Sequence, residues 1–71
     1  MSAFRIGLYR HFKGNLYEAI GTVLDSETEV EMVLYRPVGG AQLWVRSRSM
    51  FEETVNRDGV TQPRFAAVDV P

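Results

Sequence analysis

Polar and apolar positions alternate with a period of two through residues 7–46, and short turn-forming stretches interrupt the alternation at regular intervals. A first strand opens at about Gly7 and runs through Leu8 and Tyr9. Lys13-Gly14-Asn15 tolerates positive φ and reverses the chain. Residues 16–24 then form the longest β-prone stretch, with Tyr17, Ala19, Gly21 and Val23 on the cleaner core face and Leu16, Glu18, Ile20, Thr22 and Leu24 opposite. Gly21 weakens a strand interior unless a bend, bulge or close backbone approach uses its missing side chain. Asp25-Ser26-Glu27-Thr28 is rich in side chains that bond their own backbone and reads as a turn. In the third strand, residues 29–35, parity turns Val30, Met32 and Leu34 inward and Glu29, Glu31, Val33 and Tyr35 outward. Pro37 and Gly39-Gly40 end it. In the fourth, residues 42–46, Leu43 and Val45 point inward and Gln42, Trp44 and Arg46 outward.

Beyond Arg46 two signals compete. Ser49 and Glu52 have the spacing of a helix capping box, and Glu53 with Arg57 forms an i,i+4 pair, both of which favour helix. Asp58-Gly59 between residues 54–57 and 60–62 is a strong type I′ hairpin signal. A single helical turn near residues 47–52 followed by a hairpin satisfies the stronger parts of both. Pro63 lacks an amide donor and belongs at an edge or a strand start, which leaves residues 64–68 as the closing strand. The expected fold is an all-β roll of about five to six mostly antiparallel strands, one domain over residues 1–71, with 1–5 and 69–71 frayed.

Composition sharpens the picture only a little. A chain of 71 residues hides roughly 60% of the surface its unfolded form exposes, so the core has to be economical. With 45% hydrophobic and 24% charged residues it is too apolar to be disordered. It has no cysteine, so neither a disulfide nor a thiolate metal site can staple it. A net charge of −1 provides no general attraction to nucleic acid or to an anionic membrane. The charges are segregated, however: Arg5, Arg10 and Lys13 lie early, Asp25, Glu27, Glu29 and Glu31 follow as an acidic block, and Arg36, Arg46 and Arg48 come next. The first residues lack the apolar run of a signal peptide or membrane span, which makes the cytoplasm the expected location.

YRHFKGN at residues 9–15, SETE at 26–29, LYR at 34–36, LWVR at 43–46, MF at 50–51 and PRF at 63–65 occur in this order and spacing. Together they resemble a bacterial family known as domain of unknown function 1653. The resemblance spans nearly the whole chain and implies a small SH3-like β-roll; it implies no activity or ligand. Ser47 stands where the family is expected to have proline.

Catalytic chemistry finds little purchase here. His11 is the only histidine, and without cysteine a metal site around it would need several carboxylates, so no metal ligand set is assigned. Ser26, His11 and Asp25 can be nominated as a triad, but no nucleophile elbow accompanies them. Gly39-Gly40 has no Lys-Ser/Thr after it and cradles no phosphate. The acidic block is spread along a strand, unlike a calcium loop. No cofactor is expected, and the chain reads as a noncatalytic binding or interaction module.

The candidate surface is the aromatic and basic set Tyr9, His11, Lys13, Tyr35, Trp44 and Arg46. Trp44 either packs over the apolar mouth of the fold with its N–H bonded or forms part of a platform that stacks a base, cradles an extended peptide or holds a cation. A protein or peptide partner is favoured over single-stranded nucleic acid because of the charge balance. A role as an enzyme accessory domain using His11 is the third alternative, and no membrane partner is expected.

Overall fold

The computed structural model describes residues 3–69. Seven strands and one helix follow in the order β1 (Gly7–His11), β2 (Leu16–Leu24), β3 (Glu31–Pro37), β4 (Trp44–Ser47), α1 (Arg48–Glu52), β5 (Thr54–Arg57), β6 (Val60–Pro63) and β7 (Phe65–Ala67). Five of them make an antiparallel sheet in the order β4-β3-β2-β1-β7, and β5-β6 is a separate hairpin. The fold is therefore mostly antiparallel β with one short helix. The competition after Arg46 resolves as a helical turn followed by a hairpin. Asp58 and Gly59 both adopt left-handed φ, 54° and 77°, as a type I′ turn requires.

Two local expectations fail for identifiable reasons. Ser47, not Ser49, caps α1, its hydroxyl accepting from the Met50 amide at 3.3 Å. Where the family is expected to carry proline, this chain thus has a capping side chain. Glu53 lies outside the helix and bonds Arg64 at 2.6 Å instead of Arg57, which belongs to β5.

The largest correction concerns which face of the sheet is inside. The core consists of Tyr9, Ala19, Val33, Tyr35, Phe51 and Phe65, with Phe4 and Tyr17 packed against it. Val33 is fully buried and Tyr35 nearly so, the reverse of the parity read for β3. Val30, Leu43 and Val45, expected inward, are all exposed. Met32 and Leu34 are only half-buried. The cause is that β3 is apolar on both faces, so alternation alone does not choose between Met32-Leu34 and Val33-Tyr35. Glu31, whose charge marked its parity as outer, sits at the rim of the inner face, where Arg48 takes its carboxylate at 3.2 Å.

A bulge in β2 adds to the mismatch. Ala19 pairs with Tyr35 but Gly21 pairs with Leu34, so Ile20 is the extra residue and the parity of β2 flips beyond it. Tyr17 and Ala19 face the core as expected. Val23 is turned out with Met32 and is 42% exposed.

The sheet curls around rings. α1 drops Phe51 into the concave side, where it stacks on Phe65 with centroids 4.1 Å apart and planes 3° from parallel, edge-on to Tyr9 and Tyr35. Phe4, ahead of β1, stacks on Tyr9 and meets Phe51. Arg5 is joined to Asp69 by an ion pair. In the ends expected to fray, residues 1–5 and 69–71, the Ala3 carbonyl accepts from Arg48 at 3.3 Å and Phe4 packs against the core, while Met1, Ser2, Val70 and Pro71 lie outside the described residues.

Candidate functional site

Parity on β4 follows from its pairing: Trp44 lies opposite Tyr35 and Arg46 opposite Val33, so both belong to the concave face of the sheet. Curling brings β7 across to them. The Arg46 guanidinium sits 5.8 Å from the Phe65 ring centre, and its Nε donates to the Tyr35 hydroxyl at 3.4 Å. No carboxylate pairs with Arg46 among the described residues. Trp44, beside it at the sheet edge, is 53% exposed. Trp44 is thus not enclosed in the core, and its indole stays accessible.

His11 closes the other side of this patch. It ends β1 opposite Phe65, edge-on to the Phe65 ring at 4.9 Å and to Tyr17 at 6.1 Å, and tilted on Phe12 at 4.4 Å. Its Nδ1 accepts the Lys13 amide at 3.2 Å, which fixes the turn and places the proton of the neutral ring on Nε2. Burial first, then the charges of Arg46, Lys13 and Arg64, hold the imidazole below its ordinary value of 6.5. It is therefore neutral at pH 7. Arg64 bonds Glu53 through its terminal nitrogen, while its buried Nε has no hydrogen-bond partner among the described residues. The cationic ends of Lys13 and of Arg57 in the hairpin lie 5.9 and 5.8 Å from the Phe12 ring centre.

His11 contributes to how the stability of the domain depends on pH. The unfolded chain takes up a proton at about the ordinary value and the folded one only lower, so stability falls as the pH drops from 6.5 through the lowered value. Following the His11 ring resonance by NMR against pH is expected to give a midpoint below 6.5. A midpoint at or above that value would remove the crowding of cations around it.

The six residues of the candidate surface thus divide. His11, Tyr35, Trp44 and Arg46 converge, with Tyr35 contributing its hydroxyl while its ring is core. Lys13 stands beside His11 in the turn. Tyr9 does not belong, being 8% exposed with its hydroxyl committed to the Arg5 carbonyl at 2.6 Å. Tyr17, Phe65 and Arg64 complete the patch and were not singled out by the sequence. Tyr17 had the right parity, but nothing local signals that β7 closes against β4.

Other depressions offer less chemistry. One of about 470 Å³, lined by Arg10, Gly14, Asn15, Leu16, Pro37 and Val38, holds one charged side chain. Among the described residues no three His, Asp, Glu or Cys side chains gather to hold a metal ion. No helix among them is long and apolar enough to cross a membrane.

Residues 7–67 match the family described as protein of unknown function DUF1653. The chain belongs to the DUF1653 family. A crystal structure of a DUF1653 protein from Bordetella bronchiseptica is 37% identical and superposes with a TM-score of 0.85, over 96% of this chain and 94% of that one. No curated protein matches. The DUF1653 fold is thus shared in a solved structure over nearly its full length, and no activity comes with the comparison.

Proposed function

We propose that this DUF1653 domain is a noncatalytic interaction module that takes an extended acidic peptide along β4. The observation that carries this reading is Arg46: an arginine without a carboxylate partner among the described residues, positioned over Phe65 by the Tyr35 hydroxyl beside the accessible Trp44. A guanidinium so oriented pairs a carboxylate in a planar fork, and the neighbouring indole offers apolar contact at small entropic cost. β4 is an edge of the sheet, so its outer backbone groups suit the addition of a strand. Neutral His11 adds a donor at Nε2 without adding charge. A cytoplasmic setting belongs to the same reading, and fractionation of the full-length protein tests it.

Titration of the ¹⁵N-labelled domain with a Glu/Asp-rich extended peptide is expected to shift Trp44, Val45, Arg46 and His11. Trp44→Ala or Arg46→Glu abolishes the shifts while leaving the fold intact. An oligothymidylate serves as the contrasting probe. If it binds better than the peptide, with an affinity that falls steeply with salt, the partner is single-stranded nucleic acid and the peptide reading is wrong. Shifts confined to residues 25–28 would move the site to the other end of the sheet.

A further inference from the structure

The convex face of the five-stranded sheet is apolar, and no element among the described residues covers it. Pairing places Leu8, Leu34, Val45, Val23 and Met32 on this face, and alternation from Glu18 adds Ile20. Ile20 is 40%, Val23 42% and Val45 53% exposed. Scattered surface hydrophobes are ordinary, but a contiguous row across four strands is the mark of an interaction surface. β3 says the same from its sequence. Met32-Val33-Leu34-Tyr35 is a continuous apolar run, the pattern of a strand covered on both faces as in a sandwich, yet one face lies bare.

The charges at the two ends of this face indicate what covers it. At the end of the β1-β2 turn stands Arg10, exposed beside Leu16 and Val38; Arg36 there is already paired with Glu18 at 2.8 Å. At the opposite end a depression of about 420 Å³ brings Glu27 of the acidic turn against Val23, Met32 and Val45. The face is thus basic at one end, apolar in the middle and acidic at the other. A two-fold axis lying between two such faces and crossing the strands reverses one sheet over the other. It sets Arg10 of each copy over Glu27 of its mate and the apolar rows against each other.

We propose that the convex face is a self-association surface, on which a second copy of this chain stacks with its strands reversed to form a two-fold β-sandwich. The concave face with Trp44 and Arg46 points away from this interface, so association and peptide binding are separable.

Sedimentation equilibrium of the intact chain tests the proposal. A concentration-dependent dimer is expected, and Val45→Asp is expected to give a monomer with unchanged circular dichroism. Val23→Asp serves the same purpose if Val45→Asp fails to fold. Arg10→Glu and Glu27→Arg each raise the dissociation constant roughly tenfold or more, and the two together in one chain restore it, because the swapped charges face each other again. A wild-type chain that stays monomeric at about 1 mM overturns the proposal, since any useful affinity is saturated there. So does a dimer that survives both aspartates, or a double variant no tighter than the single ones, which would deny the reversed stacking.

Discussion

Phe51→Ala is expected to cost about 3–5 kcal/mol, enough to leave a domain of this size largely unfolded near body temperature. Phe51 is 1% exposed and meets four other rings: Phe65 face to face, and Phe4, Tyr9 and Tyr35 edge-on. Among the described residues only Phe65, which meets His11, Tyr17, Tyr35 and Phe51, joins as many. Truncation removes the ring from the centre of a core that contains only six buried residues among the described ones. The cavity left cannot collapse, because its walls are strands held in register by the ladder and by the Tyr35 and Tyr9 hydroxyl bonds. Urea melts followed by circular dichroism measure the loss. A cost below about 1 kcal/mol would show that α1 does not seal the concave side.

Val33→Asp is expected to abolish folding, whereas Val45→Asp, on a neighbouring strand, is expected to leave the fold intact. Val33 is 0% exposed and Val45 53%. A carboxylate at Val33 has no water and no partner, and burying an unpaired charge costs several kcal/mol, comparable to the whole stability of the domain. At Val45 the same carboxylate is solvated. Leu34→Ala, which the sequence parity ranks with the most damaging substitutions, is expected to cost less than Val33→Asp by a wide margin, because Leu34 is already half solvated in the monomer. Soluble expression and melting of the three variants decide the register. Should Leu34→Ala unfold the domain and Val33→Asp spare it, the faces assigned to β3 and β4 would be exchanged.

The candidate site was legible in its parts rather than in its assembly. His11, Trp44 and Arg46 stand out in the sequence because cations and aromatics are interleaved there, and the structure gathers them. Tyr9 stood out for the same reason and turns out to be core. No local signal separates a tyrosine whose ring is needed inside from one that faces a partner. Phe65, which opens the last strand, and Arg64 just before it help form the floor and rim of the patch, 17 or more positions away from β4. Only the curl of the sheet makes them neighbours of Arg46.

What the sequence determined by itself are the features set by local backbone chemistry. Lys13-Gly14-Asn15, Asp25-Ser26-Glu27-Thr28 and Asp58-Gly59 each carry their own turn, so the ends of β1, β2, β5 and β6 are fixed within a few residues of where they occur. Asp25 shows the mechanism: its carboxylate accepts the amides of Glu27 and Thr28 at 2.8 and 3.1 Å, contacts that need no other part of the chain. Strand parity is local as well, since it follows from the pleat alone. Which parity faces inward is not local. On β3 both sets of side chains are apolar, on β4 Trp44 stands on one face and Val45 on the other, and the bulge at Ile20 shifts β2 against them. The choice falls to the packing of Phe51 and Phe65, distant residues whose rings fit against Val33 and Tyr35. Tertiary structure decided the inside of this protein because its sequence offers two faces fit to be buried, and one copy of the chain covers only one of them.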